Sequence, residues 1–325
     1  MIEFIKKSGV PQILAVVLIA LCLWARSFVV PPVMEAGAND GPVYVLLCRL
    51  IGQHGRLCAA LGLLFTLVEA AYLNLLLDSN KLLPQKTLMP AMCYVILSGF
   101  GHSMQTLTDL HFVNLAVIYS ARRLMTGTQA TLPRTKMCNA ATAIATATLF
   151  YVPSVYLLIP FLVMYATYRM YQWRDFMALI LGLAAPYTLV MIVAYMADKG
   201  GGLWEATGAR LTLSGWHVTG SGWLEGVCCG TTLLLCLLCF MRGAGYTSEQ
   251  SGNYKRNANT TLLPIIGSVA VAVYEGLWPL YPQAGAVPLT MGCTLTLLHQ
   301  RRRKWIGEAG FWLVTTMALT MAIFS

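Results

Sequence analysis

The chain has 325 residues, of which 57% are hydrophobic and 11% charged, with a formal net charge of +9. So few charged side chains cannot clothe a water-exposed surface, which excludes an ordinary soluble domain and leaves a membrane protein. No run of Lys and Arg interleaved with aromatics occurs, which removes nucleic acid as a partner; the positive excess suits anionic headgroups on one membrane face.

Apolar runs of membrane-crossing length recur along the whole chain. The hydrocarbon core requires about 20 apolar residues per helix. In chain order the predicted spans are 12–30, 57–77, 87–104, 110–125, 137–152, 154–168, 176–197, 222–241, 261–280, 285–299 and 305–325. The expected fold is therefore all-α, a polytopic bundle of about 11 transmembrane helices.

The first run follows Lys6 and Lys7, which also suits a signal peptide with Ala36–Gly37–Ala38 as the cleavage-like site. The length of the run and its end at Pro31–Pro32 favour a retained first helix. After it comes PPVMEAGANDGPVYVLLCRLIGQHGR, where the prolines and Gly41–Pro42 break helices. VYVLLCRLI is apolar but too short to span, and reads as a helix lying on the outer surface with Arg49 snorkelling.

The basic residues fall in every second gap. With the N-terminus cytoplasmic, the cytoplasmic gaps hold Lys6 and Lys7, Lys81 and Lys86, Arg122, Arg123, Arg134 and Lys136, Arg169 and Arg174, Arg242, Lys255 and Arg256, and Arg301, Arg302, Arg303 and Lys304. The opposite gaps hold Arg49, Arg56, Lys199 and Arg210. This alternation predicts a cytoplasmic N-terminus and an outer C-terminus.

Further along, 137–152 is rich in Ala and Thr, which suits close packing inside the bundle. The outer segment 198–221 is Gly-rich and, with Trp204 and Trp216 in it and Trp223 just beyond it, reads as an interfacial collar, with a lid or lipid-contact loop as the alternative. The Gly, Ser, Asn and Thr of 242–260 predict a cytoplasmic linker between 1–241 and a three-helix part at 261–325, all within one membrane domain. Nearly all ten cysteines lie inside apolar runs, where they act as small fillers, and Cys236 and Cys239 form a CxxC without a second ligand pair.

Acids and histidines in or near spans are the candidates for chemistry. Glu69 lies near the middle of the second span, His102 near the outer end of the third, Glu225 and Glu275 in outer halves, and Glu308 beside the basic Arg301–Lys304 run. No other carboxylate shares the depth of Glu69, which argues against a proton relay there. The outer side also carries Glu35, Asp40, His54, Asp109, His111, Glu205 and His217. Asp40 before Gly-Pro also suits a turn, and Asp109 at a helix start suits a cap. No phosphate-binding loop, HExxH or GxSxG is present.

The arrangement in GANDGPVYVLLCRLIG, a turn holding an acid and then a short surface helix, resembles the start of polyprenyl-phosphate-sugar glycosyltransferases of the GT-C fold. LFYVPSVYLLIPFLVMYATYRMYQWRDFMALILGLAAPYTL adds a looser similarity over the first two-thirds of the chain. The resemblance implies transfer of a sugar or related group from a lipid-phosphate carrier at the outer face. Asp40 would be the base and Asp109 or His111 would assist, with a divalent ion as the cofactor this allows. Arg49, Arg56 and Glu35 would border the donor. The acidic pair usual in that fold and its large outer domain are not evident. As a whole, with VPLTMGCTLTLLHQRRRKWIGEAGFWLV as its tail, the chain also resembles an uncharacterised family of bacterial multi-pass inner-membrane proteins. That likeness implies a location, membrane lipids as partners and no reaction. A scaffold role beside an envelope membrane protein and transport of a lipid-linked substrate are the competing expectations. Convergence of Asp40, Asp109 and His111 on one outer cavity would favour the enzyme.

Overall fold

A computed structural model describes residues 9–31, 34, 37, 40–83, 85–99, 105–125, 134–167, 173–196, 223–248, 252–275, 285–299 and 304–324, with some helical side chains left out. Glu35, His102, Glu205, His217, the 198–221 collar and the Arg301–Arg303 run lie outside the described residues, as do the side chains of Glu225, Cys236 and Glu275.

The described residues are helical apart from turns and one isolated bridge. In chain order the helices are α1 (Val10–Val29), α2 (Pro42–Ile51), α3 (Gly55–Ser79), α4 (Met89–Ser98), α5 (Asp109–Met125) and α6 (Arg134–Phe150). A 3-10 turn (Val152–Leu157) leads into α7 (Leu158–Thr167), then α8 (Trp173–Met196), α9 (Trp223–Ser248), α10 (Gly252–Leu262), α11 (Pro264–Glu275), α12 (Ala286–His299) and α13 (Lys304–Phe324).

Three of these, α1, α3 and α8, are long and apolar enough to cross a membrane. Helix α1 buries Val16, Ala20, Leu23, Trp24 and Ser27 and leaves Leu14, Leu18 and Leu21 exposed. Helix α8 buries only Leu179, Gly182 and Ala194, while Leu181, Leu189, Ile192 and Val193 are bare. An apolar face of that extent is stable only against lipid or another apolar surface.

Two expected spans come out short. The described helix within 87–104 is α4, of 10 residues, and 154–168 begins as the 3-10 turn before the 10 residues of α7. Ten residues rise only about 15 Å, half the hydrocarbon core. Pro153 sits in the turn, where its missing N–H costs nothing to the helix that follows. Every residue of α4 is buried, as a helix apolar all round must be, and it forms the centre of the bundle.

The segment 242–260, expected as a linker, is helical where described: α9 continues to Ser248 and α10 begins at Gly252. Its polar composition disfavours an isolated helix, but tertiary contacts override it. Ala258 and Thr261 are fully buried, and the Tyr254 hydroxyl donates to the Leu82 carbonyl at 2.9 Å. Pro264 then ends α10, because its ring excludes the preceding helical hydrogen bond. One hydrophobic cluster joins Leu23, Leu73 and Tyr94 to Ala258, Met291 and Phe311, so both sides of that segment share a core.

The Ala- and Thr-rich α6 packs between α5 and α8. A Cβ on Gly182 would lie 2.5 Å from the Cys138 carbonyl oxygen, so only glycine admits this approach of α8 to α6. At the other end of α5, Arg122 stacks over Tyr72 at 5.0 Å and Arg123 over Tyr119 at 4.9 Å.

Candidate functional site

Two polar clusters are built on the segment 105–108 that leads into α5. The first gathers around Tyr44. Its hydroxyl donates to the Leu107 carbonyl at 3.0 Å. The Leu107 N–H in turn donates to the Cys58 carbonyl at 3.1 Å, which ties the segment to the start of α3. A Cβ on Gly62 would lie 2.6 Å from the Thr106 carbonyl carbon, so α3 can hold the segment this tightly only with glycine there.

Asp40 lies just before the start of α2, the helix that carries Tyr44. The Gly37 N–H donates to its Oδ2 at 2.7 Å, and its backbone bridges Tyr151. Gly41 follows and donates its N–H to the Phe150 carbonyl at 2.6 Å. Asp109 opens α5, where its Oδ1 accepts the Leu110 N–H at 2.9 Å. Both acids are buried, Asp40 at 8% and Asp109 at 9% exposure. Burial, reinforced by the negative charges of Asp109 and Asp40, raises the Tyr44 hydroxyl far above the ordinary tyrosine range. Tyr44 thus keeps its proton, which it donates to the Leu107 carbonyl, under the charges of both carboxylates. The stacked rings of Phe112 and Phe150, 4.0 Å apart, border this cluster.

His111 does not join it. Residues two apart on a helix point about 200° apart, so α5 presents Asp109 and His111 in different directions. His111 turns inward and is fully buried, with Nδ1 3.2 Å from Glu69 Oε2 and Nε2 3.2 Å from the Thr106 carbonyl oxygen. The Tyr94 hydroxyl donates to the same Glu69 oxygen at 2.8 Å. Because Nε2 faces a carbonyl it carries a proton, and one further proton is then shared between Nδ1 and Glu69. Among the described residues Glu69 Oε1 is buried with no hydrogen-bond partner. The second cluster therefore joins α3, α4 and α5 around a carboxyl at the depth of a span.

The two clusters meet through adjacent carbonyls, Leu107 serving Tyr44 and Thr106 serving His111. Of the residues expected at one outer centre, Asp40 and Asp109 are both buried and act electrostatically on Tyr44, while His111 pairs with Glu69. Arg49 and Arg56 are exposed, and neither pairs with a carboxylate among the described residues. Among the described residues no three His, Cys, Asp or Glu side chains gather to hold a metal ion. Sequence reasoning missed Tyr44 and Tyr94. Their only signal was a hydroxyl-tipped ring inside an apolar run, which when buried needs a partner.

Comparison with protein-family models, curated proteins and solved structures returned no match to this chain.

Proposed function

We propose that the chain is a multi-pass inner-membrane protein of about 11 spans, with a cytoplasmic N-terminus, that transfers a group from a lipid-phosphate carrier at the outer face. The bare apolar faces of α1 and α8 and the alternation of basic gaps support the membrane placement. The observation that carries the activity is a pair of buried carboxylates, Asp40 and Asp109, whose charges both act on the buried Tyr44.

In this reading one carboxylate accepts the proton of an acceptor hydroxyl. The acceptor oxygen bonds to the transferred carbon, the bond from that carbon to the carrier phosphate breaks, and the phosphate leaves as an anion. Tyr44, whose proton is held on the Leu107 carbonyl, fixes the segment that leads to Asp109. Arg49 and Arg56, exposed nearby in sequence, attract the anionic carrier; a guanidinium pairs with phosphate bidentately. The test uses proteoliposomes carrying a polyprenyl-phosphate-linked sugar, with release of polyprenyl phosphate as the readout. Release that requires Asp40 supports the reading, and no release above empty vesicles overturns it.

A second reading, proton-coupled transport of a lipid-linked substrate, is favoured by the Glu69–His111–Tyr94 cluster. It predicts substrate movement driven by an imposed pH gradient and abolished in Glu69→Gln, with transfer at Asp40 absent.

A further inference from the structure

A cavity of about 300 Å³ lies between α4, α9, α12 and α13, remote in sequence from the Tyr44 cluster. That volume is at the lower end of small-molecule sites. Its walls are apolar, with Leu97, Leu238, Phe311 and Val314 among them, and Arg242 stands at its edge. Among the described lining residues Arg242 is the one charged group, and neither ion pair of the described residues involves it.

The cavity is a built feature. Gly243 and Gly292 bring α9 and α12 into backbone contact: a Cβ on Gly292 would lie 2.7 Å from the Phe240 Cα. The Thr296 hydroxyl donates to the Cys239 carbonyl at 2.6 Å and fixes the same pair. Against this rigid wall α13 stands off. A Cβ on Gly310, which lines the cavity, would meet no atom within 4 Å.

We infer that this cavity binds one acyl chain of an anionic phospholipid, with the lipid phosphate on Arg242. An apolar slot with a guanidinium at its rim matches a molecule with a long apolar tail and a single anionic head. The slot is too small for a helix of a partner protein, and a water-soluble anion would leave its walls unfilled. On the topology proposed above Arg242 faces the cytoplasmic leaflet, where anionic lipids concentrate and basic pockets between helices take their headgroups. The clause on sidedness rests on that topology; the binding itself does not.

The test is native mass spectrometry of the full chain in detergent, titrated with phosphatidylglycerol or with phosphatidylcholine of the same acyl chains. One saturable phosphatidylglycerol is expected, bound about fivefold more tightly than phosphatidylcholine, the preference one basic residue supplies. Arg242→Gln should reduce the preference to parity while a lipid still binds. Gly310→Leu, whose Cβ meets no described atom within 4 Å, fills the tail space and should remove both lipids; Gly310→Val serves if the leucine variant does not fold. Gly245→Leu, also in open space on α9 but outside the lining, should bind as the parent does. Equal affinity for the two lipids in the parent, binding that never saturates, or unchanged binding in Gly310→Leu overturns the inference. Release of carrier phosphate is read separately, so a failure of transfer leaves this result intact, and the converse holds.

Discussion

Glu69 and His111 lie 42 positions apart and meet at 3.2 Å with both side chains fully buried. The pair holds α3 to α5, and Tyr94 ties α4 to the same oxygen. His111→Phe removes one partner from a buried carboxyl and should destabilise by about 1–3 kcal/mol. Glu69→Gln keeps an acceptor for Tyr94 and offers an N–H to Nδ1, so it should unfold within about 1 kcal/mol of the parent. Glu69→Leu leaves both Tyr94 and His111 without that acceptor and should fall well below either. Thermal unfolding in one detergent ranks the three, and a Glu69→Gln variant as unstable as Glu69→Leu would contradict the shared-proton arrangement.

Tyr44 gives a pH signature. Its folded pKa is raised, first by burial and then by the neighbouring negative charges, above that of the unfolded chain. Above about pH 10 the unfolded tyrosine loses its proton while the folded one keeps it. The unfolded state then binds fewer protons, so stability falls as pH rises through and beyond that point. Below about pH 10 the contribution is fully present. Tyr44→Phe should remove this part of the alkaline loss, and phenolate absorbance should show one fewer late-titrating tyrosine in the variant.

Gly41 is fixed by contact. A Cβ there would lie 1.9 Å from the Leu149 carbonyl oxygen, a backbone atom that cannot swing aside. Gly41→Ala should cost about 1–3 kcal/mol or more, and it should loosen the Asp40 turn before the rest of the bundle. Protease cleavage near residue 40 at a temperature where the parent resists would register this.

Asp40 and Asp109 separate two roles. As a turn acceptor for the Gly37 N–H, Asp40 is replaceable by Asn, which suits the same turn. As a base it is not, and loss of a base slows transfer by about 10²–10⁴. Asp40→Asn should therefore unfold like the parent and nearly abolish carrier-phosphate release. Full release in Asp40→Asn would leave Asp40 a turn residue, and the same comparison on Asp109→Asn would assign the base to the other carboxylate.

The topology is checked with reporter fusions. Fusions after Ser79, Thr128 and Tyr246 should report cytoplasm, and fusions after Gly201 and Ser325 the outside. A cytoplasmic signal at Ser325 would remove one span, with 285–299 the first suspect.

Much of the helical order was legible along the chain. The runs that became α1, α3 and α8 carry enough apolar residues to be read without any knowledge of neighbours. The short helix α2 was legible too, because Pro42 starts it and its ten residues cannot span. The helix α10 was not, since its Asn and Thr signal a loop and only its burial against α12 and α5 makes it pay.

The site divides in the same way. Composition, spacing and charge determined by themselves that the chain is helical and apolar, and that acids sit at the ends of its runs. That follows because hydropathy and helix breaking are local properties. What only the tertiary structure decided is which of those groups share a centre. Asp40 and Asp109 are both buried because Gly41 lets its loop press on 149–151 and Gly62 lets α3 press on 105–108. His111 leaves them and finds Glu69 because two helical steps turn it away, toward an α3 that no local pattern could place there.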